Sequence, residues 1–167
     1  MLKVTCEELR GMIGRTIGPS EWVEVTQGRI DQYADAVSDH EWIHVDVPRA
    51  TAAFGGTIAH GLLTLSLAPR LSQTLLDIVD RGADLNYGFE RVRFLSVVHG
   101  GDRVRLRLRI MSLEPRGEGQ LLCMEYTIEV EGKSKPAIVA DWLFLLFPQE
   151  GALVRQAGLA GTEVTAG

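Results

Sequence analysis

Between residues 103 and 131, apolar side chains recur at every second position. Val104, Leu106, Leu108 and Ile110 alternate with Arg103, Arg105, Arg107 and Arg109. Beyond Pro115-Arg116-Gly117-Glu118-Gly119, Leu122, Met124, Tyr126, Ile128 and Val130 alternate with Cys123, Glu125, Thr127, Glu129 and Glu131. Successive side chains of a strand point to opposite faces, so this pattern fits a half-buried sheet and no helix. The Pro/Gly run between the two halves is turn chemistry. The stretch is therefore predicted to be an antiparallel hairpin with one buried face. Centring it on Gly117 sets Arg109 opposite Glu125, Arg105 opposite Glu129 and Arg103 opposite Glu131. Such cross-strand pairs are ordinary on a solvated face, so the four arginines are read as structural ahead of any phosphate-binding role.

Residues 86–94 and 137–147 read as further strands. The last is apolar on both faces, at Ile138-Val139-Ala140 and from Trp142 to Phe147, so it is expected to be central or covered by a second subunit. Upstream the period is helical. Thr5 and Glu8 have capping-box spacing for a short helix over 6–13, stopped by Gly14. Residues 20–26 alternate and suggest a first strand. Thr26 can cap a helix whose face is Ile30, Tyr33, Ala34 and Val37, ending near Ser38. Asp46 and Pro48 look like a second helix start, and Gly55-Gly56 ends it. From 58 to 79 leucines occupy nearly every face, which predicts one long buried helix, kinked or divided at Pro69. Helices followed by an antiparallel meander give an α+β class, a sheet wrapped around that central helix. Residues 1–148 are expected to form a single domain and 149–167, rich in Gly, Ala and Thr, a flexible C-terminal tail.

The 167 residues are 46% hydrophobic with a mean hydropathy of +0.06, enough to build a core. A net charge of −5 does not suggest a nucleic-acid partner. No apolar run reaches membrane-spanning length; the nearest, 58–71, is punctuated by His60 and Arg70. Met1-Leu2-Lys3-Val4 lacks the apolar core of a signal peptide. Cys6 and Cys123 form no metal or redox spacing. A cytoplasmic protein with free thiols and no membrane partner is expected.

Chemistry concentrates in Ser38-Asp39-His40-Glu41-Trp42-Ile43-His44-Val45-Asp46 and in His60-Gly61. Asp39 falls just past a predicted helix C-terminus, where the dipole disfavours a carboxylate by roughly 0.3–1 kcal/mol. A local rule broken without evident structural gain points to function, although Asp also simply makes turns. His44 lies five positions on, and by itself a lone histidine is more often structural. Asp39, His40, His44 and Asp46 together suggest a metal set, but their spacing fits no strong metal template, and Asp46 is better read as the cap of the next helix. Gly61, opening a helix, can aim its N–H at an oxyanion, or simply allow close packing. His60 is read as packing, with no assigned role.

These residues carry a resemblance. Ser38-Asp39-x-x-x-Ile43-His44-x-Asp46, then Ala50, Phe54-Gly55 and Ile58-Ala59-His60-Gly61-Leu62, resemble the hydratase motif of the MaoC-like, (R)-specific enoyl-CoA hydratase family. Asn86-Tyr87-Gly88, Arg91-Val92-Arg93-Phe94 and Lys135-Pro136-Ala137 resemble its nodulation-protein-N-like branch. The likeness runs over residues 8–147. It implies a hot-dog fold and a homodimer with active sites near the subunit interface. It implies Asp39 and His44 as the catalytic pair, and the backbone N–H of Gly61 as donor to the thioester carbonyl. It implies a lyase of fatty acid metabolism that hydrates trans-2-enoyl thioesters, with acyl-CoA (or acyl carrier protein) as substrate carrier and no cofactor or metal. Glu41 and Trp42 stand where many members carry Asn-Pro, and are expected to reshape the pocket. Arg91 and Arg93 are candidates for CoA contact. A thioesterase on the same fold, or a non-catalytic acyl-CoA-binding partner subunit, are the alternatives.

Overall fold

The alternating segments are strands, and the turn between them explains a detail the alternation alone leaves open. In the computed structural model, which describes residues 1–148, the order is β1 (Leu2–Val4), α1 (Cys6–Arg10), β2 (Thr16–Ile17), β3 (Val23–Glu24), α2 (Gln27–Val37), α3 (Trp42–Val45), α4 (Val47–Phe54), α5 (Gly61–Ser66), α6 (Ala68–Leu75), β4 (Leu76–Ile78), β5 (Arg81–Phe94), β6 (Arg103–Arg116), β7 (Gly119–Val130) and β8 (Ile138–Pro148). The expected tail, 149–167, lies outside the described residues. Arg116 pairs with Gly119, so the turn is the two residues Gly117-Glu118, with Gly117 at φ 56°. A centre between those two would put Arg109 out of register with Glu125. A one-residue bulge between Ile110 and Ser112 takes up the offset, and Arg109↔Glu125 and Arg105↔Glu129 pair as expected. The bulge also switches the inward parity of β6, so Ile110 is buried, Met111 faces out and Leu113 is buried again.

The main sheet runs β2-β6-β7-β8-β5, with β3 also on β6, and its pairs are antiparallel. β8 has a strand on either side, β7 and β5, and is central in the sheet, as expected. Inward residues of β6 and β7, including Val104, Leu106, Ile110, Tyr126 and Ile128, are fully buried and share one core with Leu63, Leu65, Ala68 and Leu71 of α5 and α6. The sheet thus packs on a central helical segment, as expected. Burying each such Leu or Ile contributes roughly 1.5–3 kcal/mol.

That segment departs from the single helix expected over 58–79. It is two short helices meeting at Leu67, with Pro69 in the first turn of α6. Proline lacks an N–H and clashes with the preceding turn, so it is tolerated only where a new helix begins. Helix also ends earlier than expected: Leu76-Asp77-Ile78 form a strand parallel to Leu2-Lys3-Val4. Nor is every helical face buried, since Leu62 is 58% exposed. Elsewhere α1 stops at Arg10, three residues short of the expectation, with its Thr5–Glu8 capping box formed. Only Val23–Glu24 of 20–26 is strand. The single turn α3 was not anticipated. Among the described residues, no helix is long and apolar enough to cross a membrane.

Candidate active site

The site forms where the end of α2, the turn of α3 and the start of α5 meet. α2 is capped at its start by Thr26, which accepts from Arg29 N–H, and at its end by Ser38 in the left-handed region at φ 59°. That reversal carries Asp39 out of the helix. Its amide still donates to Ala34 C=O at 3.0 Å, while its side chain is half exposed.

α3 presents His44, 9% exposed, with Nδ1 at 2.5 Å from the Ile58 carbonyl oxygen. A carbonyl only accepts, so this bond assigns the ring proton to Nδ1 and leaves a lone pair on Nε2. Nε2 takes no hydrogen bond from any described residue. Ile58 N–H in turn donates to Ile43 C=O at 2.9 Å, so the strap between 43–44 and 58 runs both ways.

Residues 57–60 are fixed one after another. Thr57 Oγ1 donates to Gln27 Oε1 at 2.5 Å, and Gln27 Nε2 donates to His44 C=O at 2.9 Å. Thr57 C=O accepts from Gly100 N–H at 3.0 Å and from His99 Nδ1 at 3.1 Å. Ala59 N–H donates to Val98 C=O at 2.7 Å. Gln27 and Thr57 were missed by the sequence reading. No sequence signal marks them; only in the fold does Gly100 abut both, where a Cβ would lie 2.6 Å from Thr57 Oγ1 and 3.1 Å from Gln27 Oε1.

His60 closes the series. It is 5% exposed, its Nε2 lies 3.0 Å from Asp39 C=O and 3.8 Å from Asp39 Oδ2, and its ring stacks on His44 with centroids 3.7 Å apart. An oxygen of Asp39, a ring nitrogen of His44 and one of His60 all lie within 4.8 Å of one another. These three are the group among the described residues spaced to hold a metal ion, and they are not the four suggested by sequence. His40 instead pairs with Asp35 at 2.8 Å on the surface, and Asp46 caps α4 by accepting from Arg49 N–H at 3.1 Å. Two of the ring nitrogens in the cluster are already committed to backbone carbonyls.

Gly61 follows as the first residue of α5, so its N–H has no intrahelical acceptor. A Cβ there would come within 2.8 Å of two ring carbons of Phe94, so any larger residue requires that ring to shift. With six residues, α5 offers its leading N–H groups more than any long dipole. Gly61 lines a cleft of about 510 Å³ whose walls are chiefly apolar: Ile58, Ala59, Leu62, Phe94, Leu95, Val97, Val98, Ala137 and Ile138, with Thr64 and Ser96 as polar members. Asp39 and His44 are not in that lining. They join it through Ile58, whose carbonyl holds His44, and through the step from His60 to Gly61. Trp42 is outside it too. Its ring stacks on Phe54 at 5.7 Å and lies under Arg49 at 4.0 Å, directed at α4.

The two arginines considered for CoA contact are already engaged. Arg91 pairs with Glu125 at 3.1 Å and Asp141 at 3.0 Å, and Arg93 donates to Val92 C=O. Glu129 receives Arg105 and Arg107; burial pushes its carboxyl up, but the two guanidinium groups outweigh this and hold it below the usual range. Both thiols are pushed up by burial, Cys6 to about 11 with Asp80 adding to the effect, so neither is a ready nucleophile at neutral pH.

With this geometry in view, four likenesses are informative. The family described as MaoC like domain matches residues 8–133. The 3-hydroxyacyl-thioester dehydratase Z of Mycobacterium tuberculosis is 43% identical over 136 residues, spanning 80% of this chain and 90% of its own. Nodulation protein N of Rhizobium leguminosarum bv. viciae is 41% identical over 150 residues, spanning 87% and 93%. Among solved structures, an R-hydratase from Pseudomonas aeruginosa in its unliganded form superposes with a TM-score of 0.66 at 19% identity, covering 83% of each chain. At that identity it speaks for the fold alone, the hot-dog arrangement of sheet and central helix.

Proposed function

The chain belongs to the MaoC-like dehydratase family, and on that premise we propose that it reversibly adds water to trans-2-enoyl thioesters, with CoA as carrier and (R)-3-hydroxyacyl thioesters as product. The name of the M. tuberculosis relative supports a 3-hydroxyacyl thioester. The stereochemistry and the carrier rest on the motif resemblance.

The observation that carries the reading is the bond from His44 Nδ1 to Ile58 C=O. It keeps a lone pair on Nε2; a ring nitrogen of His44 lies within 4.8 Å of an Asp39 carboxylate oxygen, and the two groups together can hold one water. As that water attacks C3, its proton passes to the pair. The same pair returns a proton to C2, so the elements of water add across the bond with nothing left over. Charge building on the thioester oxygen is met by the Gly61 N–H. General acid–base catalysis of this kind supplies typically about 10²- to 10⁴-fold, and one oxyanion donor about 10²- to 10³-fold. The apolar cleft beside Gly61 suits the acyl chain.

We take the assembly to be a homodimer. β5 is the edge of the sheet, and Leu85, Tyr87, Phe89 and Phe94 on it are 41–52% exposed. A long edge strand carrying exposed apolar groups calls for cover. Light scattering at the mass of two chains is the expected result.

The direct test is incubation of the purified protein with crotonyl-CoA and longer trans-2-enoyl-CoA esters. Loss of enoyl absorbance without thiol release is expected. Thiol release in its place identifies a thioesterase, and acyl-CoA binding without conversion a non-catalytic binding subunit.

A further inference from the structure

We propose that His60 is a positioning residue that fixes Asp39 and His44 relative to each other, and that the rate of hydration depends on it although it handles no proton of the reaction. The inference rests on the hydratase reading above.

His60 occupies the N-cap of α5, where Ser, Thr, Asp or Asn would bond the helix's own amides. Its side chain makes no such cap bond. It reaches back instead to Asp39, donating Nε2–H to that residue's carbonyl at 3.0 Å. The choice leaves Nδ1 buried with no hydrogen-bond partner. A residue kept only to fill space would need neither sacrifice, because an apolar side chain leaves no orphaned atom.

The His44 ring and the Asp39 backbone are each held elsewhere, and each gains a further restraint from His60. His44 is held in its ring plane by the Ile58 carbonyl, and a flat ring can still pivot about a single bond. The His60 ring, stacked at 3.7 Å and inclined by 24°, covers one face and blocks that pivot. Tyr33 in turn backs His60, with ring centroids 5.0 Å apart. Asp39 is tied through its N–H to Ala34 and through its C=O to His60. Gly61 is the next residue in the chain, so one side chain references the acid, the base and the oxyanion donor to a common point. Small misplacements of reacting groups are costly, about 10²-fold for an ångström.

The test separates the two contacts. His60→Gln keeps a nitrogen donor at the same number of bonds from the backbone but loses the ring. His60→Phe keeps a ring and loses the donor. His60→Ala loses both. Expected is a kcat about 10- to 100-fold lower in His60→Ala, with KM within about threefold, and intermediate values for the other two. A properly folded His60→Ala with wild-type kcat overturns the proposal. So does a loss confined to KM, or, should His60→Ala not fold, wild-type kcat in both His60→Gln and His60→Phe. Imidazole nitrogen resonances give a readout that needs no substrate. The wild type should show His44 protonated on Nδ1 and His60 on Nε2, with the His44 N–H exchanging faster in His60→Gln. The opposite tautomer at His60, or unchanged His44 exchange, overturns the proposal. If the wild-type protein lacks hydratase activity while the resonances behave as expected, the functional reading fails and the positioning role stands.

Discussion

The outer face of β6 and β7 and the junction of α2, α3 and α5 are both dense in ionisable groups, and they hold them in opposite ways. On the sheet, Arg103 meets Glu131 at 3.1 Å, Arg105 and Arg107 meet Glu129 at 2.6 and 2.8 Å, and Arg109 meets Glu125 at 3.2 Å. Each of these charges meets an opposite side-chain charge near solvent, in register except for Arg107, which sits opposite Thr127 and reaches Glu129 diagonally. At the junction, His44 and His60 give their ring N–H groups to backbone carbonyls. The main chain fixes their place and leaves the His44 lone pair uncommitted. Charge density therefore does not locate chemistry here. What marks the site is a polar group that is held firmly yet still has something to give.

The sharpest way to break this contrast is Asp39→Asn, which keeps size and removes the carboxylate. Hydration should fall by about 10²- to 10⁴-fold. Stability should change by no more than about 0.5 kcal/mol, because the side chain is half exposed. Steady-state kinetics beside thermal unfolding decides this, and wild-type turnover would remove Asp39 from the site. Gly61→Ala comes next. Its Cβ would collide with Phe94, so a loss of about 1–3 kcal/mol is expected together with impaired turnover. Adding Phe94→Ala should recover part of that stability in a double-mutant cycle. Strictly additive losses would mean the clash is relieved elsewhere.

Two smaller effects belong to groups that only hold structure. Asp46→Ala removes the α4 cap and should cost about 1 kcal/mol in urea unfolding, with turnover close to wild type. A large kinetic loss would return Asp46 to the site. On the ladder, Glu129→Gln should cost no more than about 1 kcal/mol and leave kcat unaltered. Its pH dependence has a definite sign. The folded-state carboxyl is held below its ordinary value of 4.5, so its stabilisation is complete above that pH. It is lost as acid takes the pH down through the depressed value. The gap between wild type and variant should thus close on acidification and shrink in high salt.

How much of this was legible depended on how local the cause is. The hairpin's buried face and the Thr5, Thr26 and Asp46 caps follow from period and spacing over a few residues, whereas the Arg–Glu register holds only because the bulge between Ile110 and Ser112 offsets the turn. Asp39, His44 and Gly61 stood out by motif, and the fold gathers them around residues 58–61. The reading of 58–79 as one helix missed two things. Composition showed leucine on every face, but not that Leu76–Ile78 would find Leu2–Val4 as a strand partner. It also gave His60 no role, because nothing near it in sequence reveals that Asp39 and His44 lie against its ring.

The sequence by itself determined the alternation of β6 and β7, the helix starts at Thr5, Thr26 and Asp46, and the inventory of groups able to handle a proton. Those are short-range matters of side-chain direction and orphaned backbone groups. Only the tertiary structure decided which proton sits on which ring nitrogen, that Gln27 and Thr57 brace the site, and that Trp42 turns to Phe54. Each of these depends on segments distant in the chain arriving within hydrogen-bond or stacking distance, about 3 to 6 Å, which no local pattern encodes.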